Sequence, residues 1–210
     1  MTRQKAVKPK RGWIRALMVA GGGVVAALGL VIGYQFHIDP ASDSATRPPV
    51  NTNAAIERGA LLARAGNCMG CHTERGSQPY AGGRAIVTPF GEVFASNITP
   101  DPETGIGRWS ANDFWRALHH GQSRDGRLLY PAFPYTEYTK VTREDADALF
   151  AYLLTVPPAT QTNRAHRLAF PYNQQPVLAL WRALYFRPGE YQRDATHSDE
   201  WNRGAYLVQG

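Results

Sequence analysis

The sequence predicts an all-α fold, a helical domain preceded by a single N-terminal transmembrane helix. Three observations carry this reading. A basic N-terminus is followed by an uncharged apolar stretch; three later segments repeat apolar residues at helical spacing between capping signals; and the loops joining them are rich in Gly and Pro. At 210 residues, 43% hydrophobic and 19% charged, the chain has enough apolar material for one packed domain of about 100–150 residues with appendages.

The first element is the apolar stretch. Ala16 to Phe36 contains no charged residue over 21 positions, and as a helix it reaches about 31 Å, the thickness of a bilayer's hydrocarbon core. Arg3, Lys5, Lys8, Lys10, Arg11 and Arg15 precede it, and the first acidic residue is Asp39, so the N-terminus faces the cytoplasm. A cleaved signal peptide would carry a shorter apolar core and an A-x-A-like exit. The exit from His37 to Ala45 offers no good site of that kind. An uncleaved anchor over residues 1–36 is favoured, with a cleaved signal kept open. Both readings export the remainder, and the anchor places the protein in the inner (cytoplasmic) membrane with its domain on the periplasmic side. Residues 37–52, with Pro40, Pro48 and Pro49 among Ser, Asp and Thr, read as an extended linker.

Charge excludes a class of function. The formal net charge is +6, but the 17 basic residues outside the leader match all 17 acidic ones. The exported body is balanced, so a broad phosphate-binding surface, and with it a nucleic-acid partner, is not expected.

The helical elements follow in order. Asn53 is a candidate N-cap for a helix to about Ala65, with Gly66 as its stop and Gly59 and Ala60 small enough for another helix to cross closely. Ser110, with Asp113 three positions on, starts a second helix through Phe114, Trp115 and Leu118 to Gly121. Thr142 and Asp145 resemble a capping box for a third helix, with Ala146, Leu149, Phe150, Leu153 and Leu154 at helical spacing before Pro157 and Pro158.

One motif carries chemistry. The only two cysteines stand in Cys68-Met69-Gly70-Cys71-His72, and C-x-x-C-H is the attachment signature of c-type haem. Thiols three positions apart on a short turn each form a thioether with one vinyl group, and the adjacent imidazole is held beneath the iron. A zinc site would want a second ligand pair. A structural disulfide leaves His72 unexplained, and a thioredoxin-like pair wants a strand before it, where this sequence has a helical pattern. One covalent haem c is therefore expected, bound by Cys68, Cys71 and His72, with His72 as proximal iron ligand. With three helices around it, residues 53–158 describe a class I cytochrome c-like domain.

At these residues the chain resembles a known family. Arg58–Ala63, Cys68–Thr73, Thr88–Gly91, Ser96–Asp101, Thr104–Gly107, Trp109–Ser110, Leu129–Ala132 and Pro134–Tyr135 are similar to the cytochrome c subunits of periplasmic membrane-bound dehydrogenases for alcohols, aldehydes, gluconate and nicotinate. The resemblance covers roughly residues 53–187. It implies electron transfer as a subunit of an oxidoreductase complex: electrons come from a partner dehydrogenase and pass to quinone or a terminal oxidase. No catalytic side-chain constellation stands out beside it, so the redox step belongs to the cofactor.

The family carries haem domains in tandem. Asn202–Gly210 aligns with Glu57–Ala65 at an offset of 145, which projects a second haem motif to about position 213. The chain thus reads as a fragment or truncated product. Residues 159–200 form an inter-domain segment, and 201–210 begin an incomplete second domain whose helix, lacking partners, is expected to fray.

The resemblance also implies a distal methionine where this chain has Phe133, a side chain that cannot ligate iron. Met1 and Met18 lie in the leader and Met69 inside the attachment loop. Three arrangements stay open: ligation by His119 or His120, ligation by Lys140, or iron left five-coordinate or closed by water behind Phe133. For His119 and His120, capping the helix C-terminus is the favoured role. Arg84, Asn97 and Trp109 are placed in loops around the macrocycle, either bonding propionates or stabilising turns. His166 and His197 read as surface residues, and His37 as sitting at the membrane boundary. The alternatives to electron transfer are a ligand-binding or peroxidase-like haem protein with an open sixth position, and a haem-free thiol oxidoreductase.

Overall fold

The computed structural model describes residues 11–37 and 52–209; the expected linker lies almost wholly outside them. Helix α1 (Arg11–Gln35) is apolar and long enough to cross a membrane by length and composition. Most of its side chains are exposed, but its C-terminal end packs Ile32 and Phe36 against Leu128, Leu178 and Ala179 of the following domain.

The three expected helices form, and their ends show why. Helix α2 (Asn53–Ala65) is capped one residue earlier than the sequence suggests: Thr52 Oγ1 accepts the Ala55 N–H at 3.2 Å. It ends as Gly66 N–H donates to Leu62 O at 2.8 Å. A single helical turn, α3 (Cys68–Cys71), follows. Helix α4 (Ala111–His120) has a complete capping box between Ser110 and Asp113 and stops at Gly121, whose φ of 57° is left-handed. A side chain there would also run into the Tyr135 ring. After the short turn α5 (Tyr135–Tyr138), α6 (Arg143–Leu153) keeps only half of its expected box: Thr142 Oγ1 accepts from Asp145 N–H, but the Asp145 carboxylate does not reach back. It is bound instead by the Arg58 guanidinium and, at 2.6 Å, by the Tyr206 hydroxyl.

Helices α2 and α6 cross at Gly59, where a Cβ would lie 2.0 Å from the Ala148 carbonyl oxygen. That contact brings Ala63, Leu149 and Leu153 into one core with Phe114 and Leu118 of α4. Phe114 and Phe150 stack with centroids 5.2 Å apart.

The all-α expectation needs one addition. The structure is mostly helical but contains a small antiparallel sheet, β1 (Ala85–Thr88), β2 (Gly91–Phe94) and β3 (Arg167–Leu168), in the order β1-β2-β3. β-branched and aromatic residues flank Pro89-Phe90, which turns the β1–β2 hairpin with Thr88 opposite Gly91. Gly91 (φ 126°) lets β3 approach, since a Cβ there would lie 2.1 Å from Arg167 O. The register sets Gly91 opposite Leu168. Residues 159–168 therefore lie on the haem-motif domain. Asn97 Nδ2 donates to Ala159 O at 2.7 Å, and Thr160 Oγ1 to Asp101 Oδ2 at 2.9 Å.

Two helices complete the described residues. α7 (Gln175–Tyr185) buries Leu178 and Ala179 against α1, and α8 (Asp199–Gln209) buries Asn202 and Tyr206. The expected fraying of this last helix is corrected. Tyr206 both donates to Asp145 and accepts from Thr142 N–H at 3.2 Å, so α8 has partners within the domain.

Candidate functional site

A cavity of about 770 Å³ opens between α2, α3, α4, β2 and the loop 129–134, within the range of about 300–1,000 Å³ typical of cofactor sites. Apolar side chains dominate its lining, among them Ile98, Ile106, Phe114, Leu149 and Phe133. Cys68, Cys71 and His72 line it together.

Local bonding presents these three residues. Asn67 takes a left-handed φ of 50° to start the turn, and His72 N–H closes it on Cys68 O at 2.9 Å. Cys68 and Cys71, one helical turn apart, share a face. No disulfide joins them, and burial pushes the Cys68 thiol up to about 11. Arg84 Nη1 donates to Gly70 O at 2.6 Å, so Arg84 clamps the attachment loop from outside and does not line the cavity.

The tautomers of two imidazoles follow from their backbone partners. His72 Nδ1–H donates to Ser96 O at 2.7 Å, leaving the Nε2 lone pair free for a metal. Burial lowers the His72 pKa, a shift the Ser96 carbonyl partly opposes, and the neutral form is the ligating one. His166 also lines the cavity, which corrects its assignment to the surface. Its Nδ1 accepts the Phe94 N–H at 3.1 Å, so its proton sits on Nε2. Burial and then Arg127 lower its pKa. His166 thus offers a neutral N–H donor, where His72 offers a lone pair.

The structure does not bring the distal candidates His119, His120 and Lys140 to the cavity. Helix α4 turns Phe114, Ala117 and Leu118 toward it. His119, one turn after Trp115, stacks on that indole at 4.3 Å on another face. Burial, with His120 beside it, brings His119 down to about 4. Lys140 pairs with Glu137 at 3.6 Å. His197, pairing with Asp194 at 3.1 Å and stacking on Trp201, stays on the surface as expected.

Of the loop residues, Trp109 lines the cavity. Asn97 reaches its edge, but its side chain is committed to the turn: Nδ2 donates to Thr104 Oγ1 and Ala159 O, while Oδ1 accepts from Thr99. Sequence reasoning missed His166, Tyr206 and the basic edge of Arg124, Arg127 and Arg164. These last three are paired with Asp113, Asp125 and Glu74. No local pattern marks them, because long-range folding brings them to the cavity.

An apolar slot with two thiols on one face and an oriented neutral imidazole fits a covalently attached haem. Comparison with known proteins agrees. Residues 56–157 match the family model for cytochrome c. The chain is 45% identical to a nicotinate dehydrogenase subunit of Pseudomonas putida over 99% of this chain and 17% of that protein. It is 41% identical to the gluconate 2-dehydrogenase cytochrome c subunit of Pantoea cypripedii, over 87% of this chain and 41% of the relative. The cytochrome c subunit of alcohol dehydrogenase (quinone) from Gluconobacter oxydans is 37% identical, over 100% and 41% of the two chains. The chain thus spans less than half the length of these relatives. A cytochrome c domain implies covalently bound haem c.

Proposed function

We propose that this protein is a membrane-anchored electron-transfer cytochrome carrying one haem c in residues 53–158. The observation that supports it best is the cavity wall formed by Cys68, Cys71 and an imidazole whose Nδ1–H is fixed on Ser96 O at 2.7 Å. Bound here, haem would supply a one-electron couple between a donor and an acceptor. The chain's own residues do the rest. Cys68 and Cys71 would hold the macrocycle through thioethers, and His72 would present Nε2 to the metal. Ile98, Phe114 and Leu149 would exclude water, and Arg124, Arg127 and Arg164 at the cavity would offer donors to anionic propionates. The helix α1, followed by this domain, supports an inner-membrane anchor with the haem domain in the periplasm.

The names of the relatives support a dehydrogenase as electron donor, and one of them supports quinone as acceptor, with a terminal oxidase the other candidate. Beyond residues 159–168, which are held on this domain, the chain would lead toward a further haem domain beginning near 201. The experiment is anaerobic reconstitution with a candidate dehydrogenase: the visible spectrum should change to that of reduced haem on substrate addition. Haem that stays oxidised with every such partner, while dithionite reduces it, would refute the electron-transfer role.

A further inference from the structure

The cavity lining is unusual in what it lacks. Apart from His72, the described lining residues offer no side chain free to take the sixth position on an iron. Cys68 and Cys71 are used by the thioethers. Among the described residues no methionine lines the cavity: Met69 points to solvent with half its surface exposed, and Met18 lies in α1. No described lysine lines it either. The segment 38–51 contains no Met, His, Cys or Lys.

The remaining candidates are each committed elsewhere. His166 accepts Phe94 N–H on Nδ1 and so carries its proton on Nε2, the nitrogen that a metal would need. Tyr138 donates its hydroxyl proton to Gly66 O at 2.8 Å, and Tyr206 donates to Asp145 Oδ2 at 2.6 Å. Both are held as phenols rather than as ligating phenolates. Phe133, which lines the cavity, is half-buried and packs at 5.5 Å against Tyr138. Its ring supplies an apolar wall and no lone pair.

We propose that His72 is the sole axial ligand this chain gives its haem, and that the sixth position, walled by Phe133, is exchangeable and accepts small neutral diatomics such as carbon monoxide or nitric oxide. The inference rests on the haem reading above and adds a ligand site to it. Such a site also predicts a lower reduction potential than one closed by methionine, since a thioether ligand raises it.

The test uses the full chain matured in a host with an active cytochrome assembly apparatus. Haem staining of a denaturing gel comes first, and its absence would defeat the haem reading itself. With haem present, the oxidised protein should show a high-spin electron paramagnetic resonance signal, and the dithionite-reduced protein should change its visible spectrum under carbon monoxide. Phe133→Met should convert the signal to low spin, abolish carbon monoxide binding and raise the midpoint potential. His119→Ala combined with His120→Ala should leave the wild-type signal and carbon monoxide binding unchanged. A low-spin, carbon-monoxide-insensitive wild type would overturn the proposal while leaving the haem intact. So would loss or change of the spin state in the double histidine variant, and a Phe133→Met protein indistinguishable from wild type would remove Phe133 from the distal wall.

Discussion

The two imidazoles in the cavity are the same side chain doing opposite things. His72 is held by a carbonyl and His166 by an amide N–H. One therefore turns a lone pair toward the cavity and the other a proton. The difference comes from their supports. His72 follows directly on the turn Cys68–Cys71 and is placed by adjacent residues. His166 lies just before β3 and acquires its place only when that strand pairs with β2. The wall built from α2 and α3 is local in sequence. The wall built from β2, loop 129–134 and residues 163–166 is assembled at long range.

The largest expected effect breaks the local wall. Cys68→Ala with Cys71→Ala removes both attachment points, and haem staining of denatured protein should fall to background. Phe133→Met, acting on the other wall, should leave covalent haem intact while raising the midpoint potential in a spectroelectrochemical titration.

Stability effects sharpen the contrast further. Lowering the pH should cost up to roughly 3 kcal/mol through His119 alone, because its folded pKa is brought down to about 4 from an ordinary 6.5. The unfolded chain takes up the proton first, so this stability is present above pH 6.5 and lost as pH falls toward 4. His119→Gln should flatten that slope in urea titrations across the range. Gly59→Ala should cost about 2 kcal/mol, since its Cβ meets the Ala148 carbonyl and forces α2 from α6. Thermal melts read this as a drop of several degrees. Smallest, Tyr206→Phe should cost about 1–2 kcal/mol by leaving Asp145 and Thr142 N–H short of a partner. Unchanged stability would mean that α8 contributes little to holding the domain.

What could be read from the sequence follows the same division. Caps and helical spacing are local, so the three core helices α2, α4 and α6 emerge from the signals at Asn53, Ser110–Asp113 and Thr142, with only the first cap displaced, by one residue, to Thr52. The attachment motif is local too, and Gly59 signals the helix crossing. The small sheet is not, because Arg167–Leu168 is too short to announce a strand before β2 is beside it. His119 and His120 looked available because they end a helix, yet the face that carries His119 is set by Trp115 and not by the cavity. The fraying expected at α8 overlooked Asp145, a carboxylate that reads as a cap but serves as the anchor for Tyr206.

Covalent haem at the local wall is the claim on which the rest depends. Intact-mass spectrometry of the protein, matured by an active cytochrome assembly apparatus and then denatured, tests it directly. The expected result is the polypeptide mass plus one haem, lost when Cys68 and Cys71 are both replaced. A polypeptide mass alone, from cells whose other c-type cytochromes are fully loaded, would contradict it.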